Sequence, residues 1–189
     1  MGFHVSWIAR SGTSTLELLE VSRRNPSDQR HEFADVGWYL LELPAWTVLI
    51  ADGSENSPEL SAGHAQSLSK GNHETLYFWC CDTVMATELS CFTNGSEAWS
   101  IQYDCGDKSK RPAMIGNVPN IAHEILDGLR RKQRTDDGAD YVYDLPTELG
   151  RHLIGFRHDT DLEVDDPAPF QVLIRPVMQQ QSWWQFWKR

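Results

Sequence analysis

A chain of 189 residues with 17 basic and 27 acidic side chains has a formal net charge of −10. That length suits one domain with a substantial core rather than two, and 40% hydrophobic residues with eight tryptophans exclude a disordered chain. The acidity repels phosphate backbones and anionic lipid, so no nucleic acid or membrane surface is an expected partner; a basic partner fits the charge, and acidity serving solubility alone is the simpler reading.

Residues 3–10 alternate as a strand, with Phe3, Val5 and Trp7 on one side and His4, Ser6 and Ile8 on the other. Gly12 and Thr13 introduce a short helix over 14–21 carrying Leu16, Leu18 and Leu19. The polar stretch 22–35, with Asn25-Pro26, reads as a loop. Two apolar strands, 37–43 and 46–51, are separated by Pro44. Glu42 and Pro44 interrupt this region, which falls short of the roughly 20 apolar residues a membrane span needs. A turn-rich linker over 52–58 and a weak helix over 59–69 follow.

Residues 76–81, 87–93 and 96–104 read as an antiparallel meander. Asn94-Gly95 suits the two-residue type I′ turn, since both positions tolerate positive φ. The register that follows sets Ser90 opposite Trp99 and Cys91 opposite Ala98. Behind Pro119, the residues Val118, Ile121, Ala122, Ile125, Leu126 and Leu129 recur at helical spacing, with Asp127 and Arg131 four apart on the outer face. A short strand after Asp140 then joins a second helix. Asp144 is placed as its N-cap, Pro146 in its first turn, and Gly155 at its end, with Leu145, Leu149, Leu153 and Phe156 as its buried stripe. Beyond it, Asp165-Asp166-Pro167-Ala168-Pro169 is a stiff acidic linker, and Phe170, Val172 and Ile174 alternate as a late strand would. The expected fold is α+β: an antiparallel sheet of about five or six strands against two C-terminal helices and shorter N-terminal ones. One domain spans 1–163, and 164–189 forms a linker and an aromatic tail.

Chemistry-bearing residues concentrate after Gly155. His158 beside Asp159, with Arg157, is what a general base and its orienting carboxylate require. Glu148 and His152 share a helix face, as paired metal ligands must, but a second histidine at zincin spacing is missing; His123-Glu124 lacks one too. The simpler reading sets Arg157 and His158 against the last helix carbonyls, with Asp159 and Asp161 facing water. No G-x-S-x-G elbow, G-x-G-x-x-G turn or P-loop occurs, and no cofactor is expected. Cys80 and Cys81 are vicinal, which suits neither a zinc pair nor an easy disulfide; with Cys91 and Cys105 they read as small apolar residues. Trp183, Trp184, Phe186 and Trp187 are too many aromatics to leave in water, so the tail packs back on the domain, the first choice, or docks on a partner or membrane surface.

Four segments carry a family resemblance: Ser6-Trp7-Ile8-Ala9, Gly37-Trp38-Tyr39, Ala98-Trp99-Ser100 before Asp104, and Asp140-Tyr141-Val142-Tyr143-Asp144-Leu145-Pro146 running into Gly155-Phe156-Arg157-His158-Asp159. Through them the chain resembles a family of bacterial proteins, and the resemblance carries no function over to it. The resemblance covers positions 1 to about 161, implies one domain ending there with a tail beyond it, and brings no catalytic residues.

The first residues lack the basic start, apolar run and cleavage site of a signal peptide, so the expected address is the cytosol. The expected function is a non-enzymatic protein-binding domain, an immunity-type inhibitor of a bacterial toxin being one concrete form. Its rivals are a hydrolase or metal-dependent enzyme centred on His158 and Asp159, and an adaptor acting through the aromatic tail.

Overall fold

The computed structural model describes residues 2–12, 15–107, 111–136 and 138–176. The aromatic cluster of Trp183, Trp184, Phe186 and Trp187 lies outside them. In chain order the elements are β1 (His4–Ser11), α1 (Thr15–Ser22), β2 (Asn25–His31), β3 (Gly37–Glu42), β4 (Trp46–Asp52), a 3₁₀ turn (Ser57–Glu59), α2 (Ala62–Leu68), β5 (Glu74–Cys81), β6 (Ala86–Thr93), β7 (Ser96–Asp104), β8 (Ala113–Gly116), α3 (Asn120–Thr135), a second 3₁₀ turn (Tyr141–Asp144), α4 (Leu145–Ile154) and β9 (Phe170–Ile174).

The fold is α+β, and the described residues form four helices on one antiparallel sheet. That sheet has nine strands rather than five or six, ordered β2-β9-β3-β4-β1-β5-β6-β7-β8. The polar segment expected as a loop is strand β2: Asn25 and Pro26 pair with Ile174 and Leu173, and Arg30 and His31 with Gln171 and Phe170. Its side chains are mostly exposed, so no apolar alternation marks it, and its backbone is organised by β9. The late strand β9 lies between β2 and β3, carrying the sheet past residue 163. The short strand expected after Asp140 is instead the 3₁₀ turn that feeds α4.

Both faces are covered around β1, as its alternation requires. Val5, Trp7 and Ala9 join the core beneath α3 and α4, with Leu126, Leu129, Leu145 and Leu149. Ile8 points to a second core with Leu18 of α1 and Ala65 and Leu68 of α2. The stripe of α3 is buried at Ala122, Leu126 and Leu129, and on its outer face Asp127 reaches Arg130 at 4.0 Å rather than Arg131.

The Asn94-Gly95 turn forms with φ of 53° and 77°. The register beyond it departs from expectation by one residue: Cys91 faces Trp99 and Ser90 faces Ser100, because Ala98 is bulged out. The carbonyl of Ala98 accepts the Asn117 N–H at 3.2 Å, and a Cβ on Gly116 (φ 75°) would lie 2.3 Å from that oxygen. Chain return from β8 therefore holds the bulge in place.

The outer strands of the sheet differ. β2 is polar, contains Pro26, and shifts register between Pro26 and Arg30. β8 is short and carries an exposed Ile115.

Candidate functional site

Where β1 begins and β5 ends, the chain leaving α4 brings several ionisable groups together. Gly155 turns the backbone through a left-handed conformation (φ 78°), and Phe156 drops into the core. Arg157 then turns back over the helix. Its Nη1 donates to Glu148 Oε1, Nε donates to Asp159 Oδ1, and Nη2 donates to Asp159 Oδ2 at 2.9 Å; Asp144 Oδ2 stands 3.9 Å away. The Arg157 side chain is only 13% exposed, so these carboxylates are its counter-ions in place of water. They hold its guanidinium even more firmly charged, the Asp159 hydrogen bonds foremost. Burial works against ionisation of Asp159, but Arg157 outweighs it and keeps that carboxyl below its ordinary range. Asp144 is pushed up, by burial first, and makes no side-chain capping bond to α4.

Glu148 is shared: its Oε2 accepts from Arg151 Nε at 3.0 Å. His152, the other member of the paired-ligand candidate, is exposed on α4. Among the described residues no three His, Cys, Asp or Glu side chains gather as a metal site. A cleft of about 580 Å³ opens beside this cluster, lined by Glu148, Arg151, Arg157, Thr160, Asp161 and Glu163.

His158 packs against aromatic rings. Its ring lies edge-on to Phe3, at 5.1 Å between centroids, and 5.3 Å from Phe78. Its Nδ1 is buried with no hydrogen-bond partner. Burial lowers its pKa to about 4, Arg157 adding to the effect, so the imidazole is neutral at pH 7. The expected contacts of Arg157 and His158 with helix carbonyls give way to these side-chain contacts.

Below His158 is a group that residue spacing did not reveal. Asp82 accepts the Phe3 N–H at 2.8 Å, the Tyr143 hydroxyl at 2.7 Å and the Cys80 thiol at 3.4 Å. Tyr143 Oη and Cys80 Sγ are 3.0 Å apart. Burial, with the nearby Asp82 charge, pushes Cys80 up to about 12 and Tyr143 well above the usual phenol range. Cys81 points to the other face, 3.3 Å from His4 Nδ1, as strand alternation requires of vicinal residues. Tyr143 and Asp82 stand 61 positions apart, a separation that leaves no motif.

Across β1, Val5 pairs with both Cys80 and Asp52. Burial and the charge of Asp35 raise Asp52 to about 6.

Comparisons with protein-family models, with curated proteins and with solved structures each find no match to this chain. Among the described residues no helix is long and apolar enough to cross a membrane.

Proposed function

We propose that this chain is a non-enzymatic protein-binding domain whose partner presents a basic surface, as an immunity-type inhibitor does toward a toxin. The observation that carries the reading is the use of the reactive-looking side chains within the fold. Arg157 is occupied by Glu148 and Asp159, His158 is neutral between two phenylalanines, and the Cys80 thiol and Tyr143 phenol are held protonated. A general base needs a free lone pair facing substrate and a nucleophile needs an accessible anionic form. The net charge of −10 then favours a cationic partner through long-range attraction.

The test is capture of a basic protein from a bacterial lysate on the immobilised chain, with an unrelated acidic protein as control. The expected result is one partner, released by salt, that forms a discrete complex with the purified chain on size exclusion. Retention no different from the control, or a turnover in a hydrolase screen that His158→Ala abolishes, would overturn the reading.

A further inference from the structure

Among the described residues, β7 and β8 are covered by helices on one face, and β6 meets a helix on its second face near Phe92. The core beneath α3 and α4 takes Leu89, Ile101 and Tyr103. On the opposite face the helix-covered core reaches Tyr77 of β5 and Phe92 of β6. Further along, a row of side chains crosses four strands in register: Trp79 faces Glu88, Glu88 faces Gln102, and Gln102 faces Ala113. Trp79 and Glu88 are half-buried, while Gln102 and Ala113 are exposed. With Asp104, Asp107 and Arg111 they line a cleft of about 330 Å³, and Asp107 and Arg111 each have a partner.

Two adjacent groups define what this cleft can hold. Trp79 is partly buried against the core that includes Tyr77 and also lines the cleft. Glu88 accepts the Ser90 hydroxyl on Oε1 at 2.6 Å and, among the described residues, forms no ion pair. Its charge is felt by Tyr77, whose phenol is pushed up to about 12 by burial first and Glu88 second. An aromatic face beside a carboxylate that forms no ion pair among the described residues attracts a cation that can satisfy both.

We infer that this cleft seats an arginine side chain of the protein partner, its guanidinium stacked on Trp79 and its N–H fork directed at Glu88, with Asp104 at the outer edge. This site rests on the protein-binding reading and places the contact away from Arg157. Arginine fits better than lysine because a planar cation can lie on the indole while two of its N–H groups meet one carboxylate. A compact ammonium satisfies one of these contacts well, but not both.

The test is calorimetric titration of the full chain with a short oligo-arginine peptide at low salt, beside oligo-lysine of equal length. Oligo-arginine is expected to bind at least fivefold more tightly than oligo-lysine, and Glu88→Gln to weaken it about tenfold, the loss expected for a charge-assisted hydrogen bond. Gln at this position keeps an acceptor for Ser90, and an unchanged urea midpoint verifies folding. Asp161→Asn, in the cleft beside Arg157, is expected to leave the affinity within twofold. Trp79→Leu is expected to abolish the preference for arginine over lysine. Equal weakening by Glu88→Gln and Asp161→Asn, or equal affinity for the two peptides, would overturn the site. If oligo-arginine binds as expected and lysate yields no partner, the arginine site stands and the protein-binding reading falls. Capture of a partner equally by wild type and Glu88→Gln would keep the protein-binding reading and remove the arginine site from it.

Discussion

Arg157 holds Asp159 by two of the three arms of its guanidinium, Nε against Oδ1 and Nη2 at 2.9 Å from Oδ2, with only His158 between them in sequence. The remaining arm reaches back to Glu148 on α4. One cation thus fastens the end of the helix to the loop that leaves it, and turns His158 inward.

Removing that cation leaves Glu148, Asp159 and Asp144 facing one another. Arg157→Leu is expected to cost about 3 kcal/mol at pH 7, as for other partly buried pairs broken on one side. Asp159 is depressed in the fold, so its contribution is present above its unfolded pKa and fades as pH falls. Urea unfolding should therefore show the variant's deficit shrinking from pH 7 toward pH 3. A deficit independent of pH would mean that Arg157 acts by packing alone.

His158 makes the opposite kind of contribution. Its folded pKa of about 4 lies below the ordinary 6.5, so the unfolded chain binds the extra proton between those values. Stability conferred by the neutral ring is complete above pH 6.5 and declines as pH drops toward 4. The decline amounts to about 2 kcal/mol between pH 7.5 and pH 4.5. His158→Gln should flatten that part of the stability profile, although its stability at pH 7.5 will be lower.

Asp52 titrates in the same window with the contrary sign. Its folded pKa of about 6 exceeds the ordinary 3.8, so its charged form burdens the fold above pH 6 and the burden is relieved on acidification. After allowance for solvent screening, Asp52→Asn should raise stability by about 1 kcal/mol at pH 7.5. No gain should remain at pH 3.5. A uniform gain at both values would point to a hydrogen-bond effect instead.

Two glycines separate steric need from simple propensity. Gly116→Ala places a methyl group 2.3 Å from the Ala98 carbonyl at positive φ, and should cost about 2 kcal/mol or more. Gly128→Ala, in the middle of α3 with nothing within 4 Å of the new Cβ, should stabilise by about 0.5–1 kcal/mol. Thermal melts of the two variants should move in opposite directions.

Local signals in the chain were readable where local physics decides the outcome. The Asn94-Gly95 turn, the α3 stripe and the Gly155 terminus all follow from φ preference or helical period. The register past the turn did not, because Ala98 is bulged by its contact with the returning β8 strand. β2 was hidden for a related reason: Asn25–His31 has no apolar face of its own and pairs with a strand from the far end of the chain. At the candidate site, Arg157, His158 and Asp159 were identifiable as a cluster, but their partners were not. Asp82 and Cys80 come from a strand end, and Trp79 and Glu88 meet only through cross-strand pairing.

The unequal margins of the sheet bear on how copies of this molecule can associate. Fibre growth by strand addition needs two open margins on every molecule, one to accept and one to offer. Among the described residues β8 has no strand on its outer side, while proline, bulge and charge interrupt β2. Self-association through β8 therefore consumes the available edge on both molecules at once and ends in a pair. Light scattering over a concentration series should find twice the monomer mass as its ceiling, with no higher polymer.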